Sequence, residues 1–175
     1  MAPAVRPSPT GRESPLGEHE LIVTKTDPKG RITYANQVFL RLSHLSLREA
    51  LGAPHSLIRH PGMPRSVFRL MWETIGKGGE FFGYVQNMAT NGDHYWVFAH
   101  VTPSRDAAGQ VVGYHSNRRK PDAEKVARIV PLYQRLLAEE KRHQDGRAGL
   151  DAGTSLLNSV LADRGVSYDA FAFTL

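Results

Sequence analysis

The chain contains no cysteine in 175 residues. Disulfides, thiolate nucleophiles and cysteine-held metals are therefore excluded. No apolar run approaches the roughly 18 residues that a membrane-spanning helix needs. The N-terminus lacks the apolar core of a signal peptide, so the expected compartment is the cytoplasm. Charge of one sign is also scarce: 22 Lys and Arg against 17 Asp and Glu leave only +5. The cations are spread along the chain instead of forming a patch, and no nucleic-acid partner is expected. No acid–base pair or nucleophile constellation stands out, so the chain does not read as an enzyme. The apolar fraction of 41% sits slightly below the globular norm because both ends are polar.

What is present concentrates between Glu80 and Thr102, EFFGYVQNMATNGDHYWVFAHVT. This reads as two strands around a tight reversal at Thr90-Asn91-Gly92-Asp93, where Asn and Gly tolerate the positive φ of a primed hairpin turn. Phe, Tyr, Val and Trp crowd both arms, the types that suit a pleated surface. By strand alternation Tyr95, Val97, Ala99 and Val101 share one face, and Trp96, Phe98 and His100 the other. One face suits a core or pocket; the second suits a helix or a partner.

Around this hairpin the chain divides into a flexible, proline-rich lead-in (1–18), a folded domain (19–120), a helix (121–143) and a linker, short helix and tail (144–175). Glu20 to Thr26 and Arg31 to Ala35 are strand candidates across the turn Asp27-Pro-Lys-Gly30. Asn36 is a favoured N-cap for a helix carrying Val38, Phe39 and Leu42. Ser46 and Glu49 fit a capping box, with Gly52 as the stop. Ala53 to Pro64 is proline-rich yet carries two histidines and an arginine. An amphipathic helix follows, with Val67, Leu70, Met71, Thr74 and Ile75 on one face, Phe68 and Trp72 beside it, and Gly76 and Gly78 at its end. A last strand runs from Val111 to Asn117. The order is α+β: a five-stranded antiparallel sheet with helices on one face and a C-terminal helical extension. In that extension Val126, Ile129, Leu132, Tyr133, Leu136 and Leu137 form a stripe that suits dimerisation, docking or packing on the chain's own sheet. Pro131 predicts a kink or break there. Gln144 to Gly153 reads as a polar linker, Thr154 to Asp163 as a short helix, and Tyr168 to Leu175 as a tail that adds an edge strand.

Three stretches together resemble the PAS family: Ile32-Thr-Tyr-Ala-Asn36, the block from Pro54-His55 through Arg59-His60-Pro61-Gly62-Met63-Pro64, and Asn91-Gly92-Asp93-His94-Tyr95-Trp96-Val97. Met71-Trp72 and Glu124 through Pro131-Leu132-Tyr133 match in kind and spacing. The resemblance runs from about residue 20 to 135 and points to the flavin-binding PAS modules of bacterial aerotaxis receptors. It implies a PAS fold and FAD held non-covalently between sheet and helices. It also implies redox or oxygen signalling to a chemotaxis receptor, kinase module or homodimeric partner. The absence of cysteine excludes the thiol-adduct photochemistry of light-sensing flavin PAS domains. Two departures stand out: Gly62 where the receptors usually carry an acidic residue, and Met88-Ala89 where they are basic.

A flavin needs an apolar floor and a few fixed donors. The cofactor-binding candidates are Asn36, His55, Arg59, His60, Trp72, Asn87 and Tyr95. Trp72 would stack on the ring, and Asn36 and Asn87 would meet its pyrimidine edge. Arg59 suits the pyrophosphate, with His55 and His60 in the same loop. Each has a structural alternative. Asn36 serves equally as a helix cap, Trp72 and Tyr95 as packing, the histidines as hydrogen-bonded loop residues, and Arg59 as a loop brace. An inward amide at Asn87 is costly unless satisfied. Two other readings stay open: a haem sensor with His55, His60 or another histidine as axial ligand, and a cofactor-free PAS interaction module.

Overall fold

The computed structural model describes residues 7–175. Five strands form one antiparallel sheet in the order β2-β1-β5-β4-β3. They are β1 (Ile22–Thr26), β2 (Ile32–Ala35), β3 (Phe81–Met88), β4 (His94–Arg105) and β5 (Val111–Arg119). Between β2 and β3 lie α1 (Gln37–Ser43), α2 (Leu47–Ala50), a 3₁₀ turn (His55–Ile58) and α3 (Arg65–Gly76). After β5 come α4 (Ala123–Lys141), α5 (Gly146–Arg164) and α6 (Tyr168–Phe173). This is the expected α+β order.

The local signals work as their chemistry requires. The Asn36 side chain accepts from the Phe39 backbone and starts α1; Ser46 and Glu49 complete the capping box of α2. Along β4, Tyr95, Val97, Ala99 and Val101 are buried in alternation with the half-covered Trp96, Phe98 and His100. The first set faces α1 to α3 and the main core. The second set meets the C-terminal helices: the Tyr133 ring stacks on Trp96 at 6.3 Å, and Phe173 packs on Phe82 and Phe98. The Tyr133 hydroxyl donates to the Tyr84 carbonyl at 2.6 Å and lies 2.5 Å from the Tyr168 hydroxyl. The outer face of the hairpin is thus covered by this chain's own extension, and the edge strand β3 is not left bare.

Several expectations are corrected. In the hairpin only Gly92 has positive φ, at 91°. Its amide donates to the Ala89 carbonyl while the Asn91 side chain accepts from the Asp93 amide. This is a longer loop ending on a left-handed glycine, not a primed turn. Of the lead-in, residues 1–6 lie outside the described residues. The rest is docked: Thr10 donates to the Gly92 carbonyl, the His94 amide donates to the Arg12 carbonyl, and Ser14 donates to the His94 carbonyl. Ser14 and Leu16 are buried. Composition alone could not show that a proline-rich segment finds backbone partners on a hairpin far along the chain. Helix α4 runs on through Pro131, held by the buried Ile129, Leu132, Tyr133 and Leu136. The supposed linker belongs to α5, which starts on the Asp145 cap. The tail is not a strand: Ser167 caps α6, which buries Tyr168, Phe171 and Ala172.

Candidate functional site

Between the inner face of the sheet and α3 lies a cavity of about 340 Å³, near the lower end of small-molecule sites. Strand alternation supplies one wall: Thr24 and Thr26 from β1, Val85 and Asn87 from β3, Ala99 and Val101 from β4, and Tyr114, Ser116 and Arg118 from β5. Helix α3 supplies the opposite wall through Phe68, Met71, Trp72 and Ile75. Their i, i+3, i+4, i+7 spacing places them on one helical face. The 3₁₀ segment adds Pro54, His55, Ser56 and Arg59, and the β1–β2 turn adds Lys29 and Gly30.

The walls are mostly apolar and the polar groups few. Trp72, 36% exposed, stands edge-on to Tyr114 with ring centroids 5.4 Å apart. Its indole lies on Gly30, whose φ is +76° and where a Cβ would come within 3.0 Å of the ring. The Arg59 guanidinium lies over the Phe68 ring, 3.9 Å from its centroid. His55 Nε2 is 3.2 Å from the Thr24 hydroxyl. Burial, then the nearby Arg118 charge, push the His55 imidazole down to about 3, so it is neutral at pH 7.

Arg118 is the least ordinary residue of the site. It is 3% exposed. Its Nη2 donates to the Thr24 hydroxyl, and its cation lies 5.5 Å from the Phe39 ring centroid. Nε and Nη1 are buried without a hydrogen-bond partner among the described residues, as is Nδ2 of Asn87, which is 4% exposed. Burial lowers the Arg118 pKa to about 10, leaving it charged at neutral pH. Among the described residues no carboxylate lines the cavity.

Of the residues singled out from sequence, His55, Arg59, Trp72 and Asn87 meet at this cavity. Asn36, His60 and Tyr95 do not line it. The Asn36 side chain is engaged by the fold: Oδ1 accepts from the Phe39 and Val23 amides and Nδ2 donates to the Leu21 carbonyl. His60 Nδ1 accepts from the Gly62 amide at 2.9 Å and its ring faces His94 edge-on. A Cβ at position 62 would come within 2.9 Å of that same nitrogen. Glycine there goes with this histidine position. Tyr95 is wholly buried with its hydroxyl 3.0 Å from Ser43 Oγ. Sequence reasoning missed Thr24, Tyr114, Ser116 and above all Arg118. Continuing the β5 alternation past Asn117 would have turned Arg118 inward with Tyr114 and Ser116.

The PAS fold family model matches residues 32–118. The chain is 39% identical over 132 residues to the aerotaxis receptor of Escherichia coli K12, covering 75% of this chain and 26% of the receptor. It is 30% identical over 97 residues to the nitrogen fixation regulatory protein of Klebsiella pneumoniae, covering 55% and 20%. With the biofilm dispersion protein of Pseudomonas aeruginosa PAO1 it shares 33% over 87 residues, covering 49% and 21%. The chain therefore spans only a quarter to a fifth of these relatives. Among solved structures, a light-oxygen-voltage domain superposes with a TM-score of 0.58 at 22% identity, over 64% of this chain and 85% of that one. The same domain of the blue-light photoreceptor Aureochrome1 gives 0.53 at 27%, over 69% and 84%. No helix among the described residues is long and apolar enough to cross a membrane. Sheet order, matched segment and relatives agree: the chain belongs to the PAS family, and its central domain is a PAS sensor domain related to those of aerotaxis receptors.

Proposed function

We propose that this PAS domain binds FAD non-covalently in the cavity between sheet and α3 and reports redox or oxygen state. The observation that carries the reading is the cavity itself: apolar walls with a few converging donors, two of them buried nitrogen-bearing side chains with unpaired N–H groups. Phe68, Met71, Ile75, Val85 and Val101 suit the apolar ring body, and the Asn87 amide suits the acceptor-rich pyrimidine edge. Trp72 and Tyr114 stand at the rim. Arg59 and Lys29 supply positive charge for a pyrophosphate. When bound, the flavin would supply one- and two-electron redox chemistry.

The protein's part is to read the ring's charge. Asn87 sits on β3 opposite Tyr95 of β4, so a change in its hydrogen bonding is felt by the strand pair. The outer face of that pair meets α4 and α6 through Trp96, Tyr133, Tyr84 and Phe173. Output then passes to a chemotaxis-type or related signalling partner, or to a second copy of the chain. The family relationship supports this reading. A haem reading has less support, because His55 Nε2 already faces Thr24 and His60 lies off the cavity.

The test is the visible spectrum of the protein as purified, followed by release and identification of the chromophore. Flavin bands in the blue, with FAD released, are expected, together with a change in outer-face exposure on reduction. A Soret band would favour haem. Colourless protein that refuses FAD would leave a cofactor-free interaction module.

A further inference from the structure

We infer that Arg118 is the anion seat of the cavity: a buried guanidinium left uncompensated by the protein, for which the acceptor edge of a planar ring ligand supplies the missing partner. Two features carry this. The first is the pair of unpartnered nitrogens, Nε and Nη1, on a side chain that lines the cavity and is 3% exposed. The second is the charge of the surroundings. Arg118 shares the cavity with Arg59 and Lys29, and none of the described residues that line it is acidic. It touches neutral groups, the Thr24 hydroxyl and the Phe39 ring face, and its charge is felt by the neutral His55 and the Tyr95 phenol.

A buried cation without a counter-charge is strongly destabilising, and a stable fold does not keep one without return. Arg118 of β5 pairs with Ala99 of β4, and Asn87 of β3 pairs with Tyr95, four residues back along the same strand. Both bring unpaired N–H groups to the same wall of the cavity, and the Arg118 charge is felt by the Tyr95 phenol of the residue that pairs with Asn87. Arg118 therefore acts at the ring end of the ligand, and Arg59 and Lys29 take any phosphates.

This inference rests on the flavin reading, so the experiment separates the two. Wild type, Arg118→Met and Arg118→Lys are prepared flavin-free, and each is melted and titrated with FAD and with riboflavin, which has the ring but no phosphate. Flavin-free Arg118→Met is expected to melt about 3 °C or more above wild type, because an unpaired buried charge is gone. It is also expected to lose at least about tenfold in affinity for both ligands by the same factor, with Arg118→Lys recovering part of the loss. A loss confined to FAD would place Arg118 at the phosphates and overturn the proposal. Unchanged affinity in Arg118→Met would do the same. If wild type binds neither ligand, the flavin reading fails and melting alone decides. A more stable Arg118→Met then upholds the seat for another anionic ring; a less stable one overturns it.

Discussion

Three hydrogen bonds hold the Asn36 side chain: two accepted at Oδ1 from Phe39 and Val23, one donated from Nδ2 to Leu21. The residue splices β1 to the start of α1, and its loss should be read in stability. Asn36→Ala is expected to destabilise by about 1–2 kcal/mol, the upper range for a helix cap, in urea unfolding. Ligand affinity per folded molecule should stay unchanged; a selective loss of affinity would restore the cofactor role assigned to it from sequence. His55 carries a second prediction at this scale. Its folded pKa, about 3, lies below the ordinary histidine value of 6.5. Above pH 6.5 both folded and unfolded chains hold it neutral, and its contribution is complete. As pH falls from 6.5 toward 3 the unfolded chain takes a proton that the fold refuses, so stability drops by up to about 1.4 kcal/mol per pH unit. Unfolding midpoints between pH 7.5 and 5 should fall more steeply for wild type than for His55→Asn. Equal slopes would show that the imidazole is not held neutral by its surroundings.

At the scale of elements, one carboxylate joins the extension to the cavity wall. Glu140, near the end of α4, is buried and accepts from the Arg65 amide at 3.0 Å and the Ser66 amide at 2.8 Å, the first turn of α3. A helix start is short of acceptors, and its dipole favours a negative charge there. Room for Glu140 comes from α5, where a side chain at Gly149 would collide with the Glu140 carbonyl and one at Gly153 with its side chain. From sequence this stretch reads as a polar linker, and glycine disfavours an isolated helix. Glu140→Ala is expected to cost about 1–3 kcal/mol by leaving buried amides unpaired, with Glu140→Gln losing less. Hydrogen exchange at the start of α3 should rise in parallel. Unchanged exchange there would show that the clasp is not what orders the helix.

For the whole molecule, sheet, α3 and the C-terminal helices share one continuous core, so a ligand in the cavity acts on the entire fold. If FAD binds only the folded chain, excess FAD at a hundred times its Kd should add about 2.7 kcal/mol. For a protein of this size that raises Tm on the order of 5–10 °C. Melting followed at the sheet and at the C-terminal helices should shift together. A shift confined to one of them would mean that the extension is not coupled to the cavity.

Local chemistry in the sequence determined the strands, the caps at Asn36 and Ser46, the inward set on β4 and the family. Each of these depends on neighbours within a few residues. It also pointed to His55, Arg59 and Trp72 through the matched stretches and to Asn87 through the cost of an inward amide, and all four line one cavity. The tertiary structure alone decided the rest. The docking of residues 10–16 on the hairpin, the helical character of residues 146–153 and 168–173, the Glu140 clasp and the burial of Arg118 all join distant parts of the chain. Glycine, proline and arginine each have local preferences pointing to loops and solvent. Those preferences amount to about 1 kcal/mol for a glycine or about 3 for a proline, and packing against a partner far along the chain can exceed them.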